Sequence, residues 1–170
     1  MLKEIFDQPQ VFQDALAGRL LPAEGAARLG GLNLSEEESR QIERVIIVAC
    51  GTAYYASLVG KYVIEHCAGL PVSVEIASEF RYRDPVILPH KLVLAVSQSG
   101  ETADTLAAMR EAKNKGAIVM GIVNVVGSTI AREAGRGVYI HAGPELAVAS
   151  TKAFTNQAAI LVLLGLQLGL

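Results

Sequence analysis

A chain of 170 residues is long enough for one domain with a sizeable core, and 51% hydrophobic against 19% charged residues excludes disorder as an overall description. A net charge of −2 with scattered Lys and Arg leaves no electrostatic footprint for nucleic acid or an anionic membrane. Cys50 and Cys67 form neither a disulfide framework nor a metal cluster, and the longest apolar stretch, Ala158 to Leu170, is shorter than the roughly 20 residues of a membrane helix. Met1-Leu2-Lys3-Glu4-Ile5 carries charge early and lacks a signal-peptide apolar region, so the expected setting is the cytoplasm.

In chain order, residues 1–34 read as a helical extension, with Pro9 opening a helix through Val11, Phe12, Ala15 and Leu20, and Gly30-Gly31 breaking it. Ser35 with Glu38 is a capping-box signature for a short charged helix ending near Arg44. From residue 35 to 170 the pattern is that of one α/β domain. Val45–Cys50 is a continuous β-branched run, as expected of a parallel strand buried on both faces. A helix over Ala53–Cys67 follows, closed by Gly69 and Pro71, then a strand over Val72–Ala77 and a helical turn over Ser78–Tyr82. Leu92–Val96, Ile118–Val123 and Val138–Ile140 complete the strands, separated by helices over Thr102–Lys115 and Ser128–Ala134. A last helix is predicted from Ser150 to the end. Five strands alternating with helices predict a doubly wound, five-stranded parallel sheet flanked by helices.

In such sheets ligands bind beyond the carboxyl ends of strands where the strand order reverses. Two predicted strand ends are rich in hydroxyls: Cys50-Gly51-Thr52 and Ser97-Gln98-Ser99-Gly100-Glu101-Thr102. The second offers Ser97, Ser99 and Thr102 as donors, a glycine that lets backbone approach a ligand, and the positive end of the following helix. It contains no Lys or Arg, which suits reversible capture of a monophosphate. Neither G-x-x-x-x-G-K-[ST] nor G-x-G-x-x-G after a strand occurs. The plainer alternative is that Ser97 and Thr102 cap the helix. Cys50 reads as a packed strand-end cysteine, His66 and His90 as solvent-edge residues, Glu79, Arg81 and Arg83 as a solvated or interface charge cluster, and His141 and Glu145 as loop-structuring residues.

The strings Ala49-Cys50-Gly51-Thr52, Val74–Tyr82, Ser97–Thr105 and Val148–Thr155 resemble the glucosamine-6-phosphate synthase family, the isomerizing glutamine–fructose-6-phosphate aminotransferases. The likeness is to the first of two sugar isomerase (SIS) subdomains in the isomerase half, and the opening, Met1 to Pro9, also looks like the start of that half. It covers essentially the whole chain. The resemblance implies a flavodoxin-like SIS fold, no cofactor and no metal. It implies that Ser97, Gln98, Ser99 and Thr102 bind the phosphate of fructose 6-phosphate or glucosamine 6-phosphate. Thr52 would lie against the sugar or its phosphate, and Val148 and Ala149 would approach the sugar through their backbone, beside Ser150. Ala53 stands where many relatives have Ser, so only its backbone N–H can serve there.

The family's glutaminase half and second SIS subdomain, with its acid/base carboxylate and histidine, have no counterpart here, and neither does the tail with its catalytic lysine. The expectation is therefore a fragment without catalytic residues, inactive alone in a reaction that needs a base and an acid. The alternatives are a stand-alone single-SIS regulator and a small phosphosugar isomerase. A final helix apolar all round predicts uncovered faces at Ile160, Leu161, Leu164 and Leu166, and association into a homodimer or larger species.

Overall fold

The computed structural model describes residues 1–169. An opening helix, α1 (Leu2–Leu16), precedes a two-stranded antiparallel hairpin, β1 (Leu20–Leu21) and β2 (Ala26–Ala27), with 3₁₀ turns at Pro22–Glu24 and Gly30–Leu32. The α/β part follows as α2 (Glu36–Gln41), β3 (Arg44–Ala49), α3 (Gly51–Ala68), β4 (Val72–Ile76), α4 (Ala77–Tyr82), β5 (Lys91–Ser97), α5 (Ala103–Asn114), β6 (Ile118–Val123), α6 (Thr129–Ala134), β7 (Gly137–Tyr139) and α7 (Lys152–Leu168). Leu170, the last position of the predicted final helix, lies outside the described residues.

Strands β4-β3-β5-β6-β7 form one parallel sheet in that order. The chain moves outward from β3 to β4, then returns to the other side of β3 to lay down β5. The strand order therefore reverses at the carboxyl ends of β3 and β5, where Ala49 pairs with Val96. Alternation along the strands splits the core in two. Val45, Ile47 and Ala49 with Leu92, Leu94 and Val96 face the layer that contains α3 and α7. Ile46 and Val48 with Val93 and Ala95 face the layer of α4, α5 and α6. Burial on both faces is what the unbroken apolar runs required.

Three local readings change. Pro9 lies inside α1 instead of opening it. A proline there removes one helical N–H, and the Ile5 carbonyl left over accepts from Gln8 Nε2 at 3.2 Å. The hairpin after Leu16 escaped prediction because two-residue strands are too short to show alternation. The capping box at Ser35 forms with both hydrogen bonds, but its helix stops at Gln41 and frees Arg44 for β3.

The final helix overturns the expectation of an uncovered apolar end. Ile160, Leu161 and Leu164 are fully buried and Leu166 is half-buried. The reason is close packing of α7 on α3 through glycines. A Cβ at Gly60 would sit 2.7 Å from Leu161 Cβ, and one at Gly165 would sit 3.3 Å from Ile64 Cα. Each leucine so buried contributes about 1.5–3 kcal/mol. The exposed large apolar side chains lie elsewhere, among them Leu2, Ile5, Phe6 and Phe12 on α1, and Tyr55, Val59 and Tyr62 on α3.

Candidate functional site

The two predicted loops meet at the reversal of strand order. After β3, Cys50 and Gly51 (φ +58°) turn the chain directly into α3, leaving Thr52 exposed in its first turn. After β5, residues 98–102 lead to α5. Thr105 of α5 donates to Cys50 Sγ at 3.8 Å, which ties the two turns together and leaves Cys50 half-buried.

The loop after β5 is organised by its own hydroxyls. Ser97 is 2% exposed; its Oγ accepts from the Gly100 N–H at 3.0 Å and lies 2.8 Å from Thr102 Oγ1. Either hydroxyl of this pair can donate; when Ser97 does, the Thr102 proton is left at the more open end. Ser99 Oγ accepts from the Glu101 N–H at 3.1 Å and likewise keeps its own proton. Thr102 occupies the N-cap position of α5, yet its side chain makes no cap bond. The capping alternative is therefore not what these hydroxyls do, and the first N–H groups of α5 keep no side-chain cap. Together these groups form a neutral donor set beside the positive end of a twelve-residue helix.

Gly100 has φ +68°, and a Cβ there would overlap the Ser128 hydroxyl, so the close approach of this loop to α6 requires glycine. Its carbonyl accepts from Ile130 N–H at 3.0 Å. Glu101 turns away from the loop and accepts from Thr129 N–H at 2.8 Å, which holds its carboxyl below the usual carboxylate range. That removes the one negative charge of the loop from the space where an anion would sit.

The segment 141–151 forms the facing wall. Asn124 fastens its start, donating from Nδ2 to Gly143 O at 2.7 Å and accepting from Ala142 N–H at 2.9 Å, while its own N–H donates to Gln98 O at 3.1 Å. Glu145 fastens its end at the start of α7, accepting from Thr151 N–H at 2.8 Å, Ala153 N–H at 3.3 Å and the hydroxyls of Ser150 and Thr151. Ser150 is thereby engaged within the loop, since its Oγ also accepts from Phe154 N–H. Val148 and Ala149 are exposed, and their N–H groups have no partner among the described residues. Between the two walls, Gln98, Asn124, Val125 and residues 143–146 line a cleft of about 420 Å³, in the size range of small-molecule sites.

Asn124 is the residue sequence reading missed. It follows β6 and has no neighbouring motif; only its position one residue past a strand end could have marked it. Of the other candidates, His66 and His90 are exposed, Arg81 pairs with Asp104 at 2.9 Å, and Arg83 pairs with Glu75 at 3.0 Å. Among the described residues no cluster of His, Cys, Asp or Glu is arranged to hold a metal, and no helix is long and apolar enough to cross a membrane.

The family profile described as SIS domain matches residues 39–166. The chain belongs to the SIS domain family. The SIS match runs from within α2 almost to the end of α7 and so includes both walls of the cleft. Two curated relatives are isomerizing glutamine–fructose-6-phosphate aminotransferases. That of Chlorobaculum tepidum is 55% identical over 99% of this chain and 27% of its own length; that of Symbiobacterium thermophilum is 56% identical over 99% and 28%. The chain thus spans about a quarter of these relatives. Among solved structures, the C-terminal domain of glucosamine-fructose-6-phosphate aminotransferase from Francisella tularensis superposes with a TM-score of 0.89 at 41% identity, covering 99% of this chain and 46% of that one.

Proposed function

We propose that this chain is the phosphosugar-binding SIS subdomain of the isomerase half of an isomerizing glutamine–fructose-6-phosphate aminotransferase. Residues 35–170 would form the binding unit and 1–34 its helical extension. Fructose 6-phosphate or glucosamine 6-phosphate is the ligand. Its phosphate lies on Ser97, Gln98, Ser99 and Thr102 at the start of α5, with Thr52 beside it and the sugar toward Val148, Ala149 and Ser150. The observation that carries the reading is the hydroxyl cluster at the reversal of strand order: Ser97 Oγ joins Thr102 Oγ1 and the Gly100 N–H, and Ser99 keeps its own proton for an anion. Identity above 50% to the named aminotransferases along nearly the whole chain favours this reading over a stand-alone regulator or isomerase. The activity, the glutaminase half, the second SIS subdomain and a cytoplasmic setting belong to that proposal. The acid/base and lysine chemistry would come from those other segments, and this chain would supply binding.

The test is spectroscopic. Fructose 6-phosphate or glucosamine 6-phosphate should shift the amide resonances of Ser97–Thr102, and unphosphorylated fructose should not. Ser99→Ala removes a donor to a charged group and should weaken binding by about 1.5–3 kcal/mol with little loss of stability at a half-exposed position. Equal shifts from both kinds of sugar would overturn the phosphate assignment.

A further inference from the structure

The first two turns of helix α1 are turned the opposite way from their hydrophobic pattern, whereas Ala15 and Leu16 farther along bury in the ordinary way. Leu2, Ile5 and Phe6 face solvent, whereas Glu4 is 7% exposed and Asp7 and Gln8 are half-buried. An amphipathic surface helix ordinarily buries its apolar stripe. Here a polar stripe with i, i+3, i+4 spacing, Glu4, Asp7 and Gln8, is directed inward.

They converge on the wall of the cleft. Glu4 Oε1 accepts from Leu146 N–H at 2.6 Å and from Ala147 N–H at 3.2 Å, immediately before the exposed Val148-Ala149 peptide. Asp7 pairs at 3.2 Å with Lys152, which is 5% exposed and opens α7, an end where a cation is unfavourable without a partner. Gln8 Oε1 accepts from the Thr155 hydroxyl at 2.6 Å. With Asn124 at the start of the segment and Glu145 at its end, Glu4 supplies the middle point of attachment.

We propose that α1 is a clamp for the sugar-facing wall and that Glu4 is a positioning residue for phosphosugar binding. It fixes the loop so that the free N–H groups of Val148 and Ala149 are presented to the sugar. The inference rests on the phosphosugar reading and adds a residue more than 90 positions upstream of the phosphate loop. It also implies reciprocity: if α1 favours the binding-competent loop, a ligand that contacts the loop must tighten α1 by the same free energy.

Hydrogen exchange by mass spectrometry on the full chain tests this without any substitution. Glucosamine 6-phosphate should slow exchange in residues 97–102, 143–151 and α1, whereas inorganic phosphate should slow 97–102 alone. Protection of 143–151 without α1 overturns the clamp. Absence of any protection by glucosamine 6-phosphate refutes the phosphosugar reading itself, and the clamp as a binding device with it. In variants, Glu4→Ala should weaken glucosamine 6-phosphate binding about tenfold or more while leaving inorganic phosphate affinity unchanged. Glu4→Gln retains an acceptor oxygen and should stay within about threefold of the parent. Ser35→Ala, which removes the distant cap of α2, should lower stability without changing affinity. Equal losses of affinity in Glu4→Ala and Ser35→Ala would make Glu4 merely structural.

Discussion

Glu101 is the only charged residue between Ser97 and Thr102, and the fold turns its carboxylate onto the backbone N–H and hydroxyl of Thr129. Chiefly through that backbone bond, its folded pKa lies below the unfolded value of about 4.3. The contact therefore adds stability at pH values above that unfolded value and loses it as pH falls through the folded one. The protection factor of the Thr129 amide, corrected for the intrinsic exchange rate, should fall as the pH drops through the lowered Glu101 pKa, and Glu101→Gln should flatten this dependence. An unchanged acid response in the variant would mean that another group controls this end of α6. At this scale the hydroxyls of Ser97, Ser99 and Thr102 were legible because their type and spacing carry the chemistry. The internal roles of Ser97 and Ser150 were not, since a string of residues does not reveal which hydroxyl faces inward. Asn124 was invisible for a related reason: it acts by joining two loops 26 and 18 positions away, Gln98 and Ala142.

Elements of regular structure were read more faithfully than their partners. Ile118–Val123 coincides with its prediction, and the other four strands of the large sheet shift by one residue at one end or both, because long β-branched runs and flanking glycines leave little freedom. What the pattern could not show was the partner of α7. Its all-round apolar sequence signals burial, and the glycines at 60 and 165 that admit it against α3 are more than 100 residues apart. That contact makes a sharp prediction. Gly60→Ala gains helix propensity of about 1 kcal/mol, but its new Cβ meets Leu161 Cβ and forces overpacking that costs about 1–3 kcal/mol. The net change should be destabilising, seen as a lower Tm, and smaller when Leu161→Gly removes the Cβ and the atoms beyond it that the new methyl group meets. Equal effects of Gly60→Ala in both backgrounds would show that the two helices do not share this contact as drawn.

For the molecule as a whole, strongly exposed apolar side chains lie on α1 and α3, whereas Ile160, Leu161 and Leu164 of α7 are buried. Phe6 and Tyr62 are each more than two-thirds exposed, with Leu2 and Tyr55 also strongly exposed on the same two helices. These side chains, and not α7, are then the candidates for the homo-oligomer contact expected from the sequence. Sedimentation across a concentration series should show self-association of the chain, weakened by pairing Phe6→Glu with Tyr62→Glu. A monomer throughout, with both side chains native, would exclude self-association through this face. The packing of α1 against α7 also has a temporal consequence. The ribosome produces α1 before α7, and the residues that receive α1, Lys152, Thr155 and Asn156, come roughly 145 positions after it. At about 5–20 residues per second, α1 must wait on the order of ten seconds without its dock. During that interval Val11, Ala15 and Leu16, which the finished fold covers wholly or in part, are open to whatever nascent-chain chaperone reaches them first.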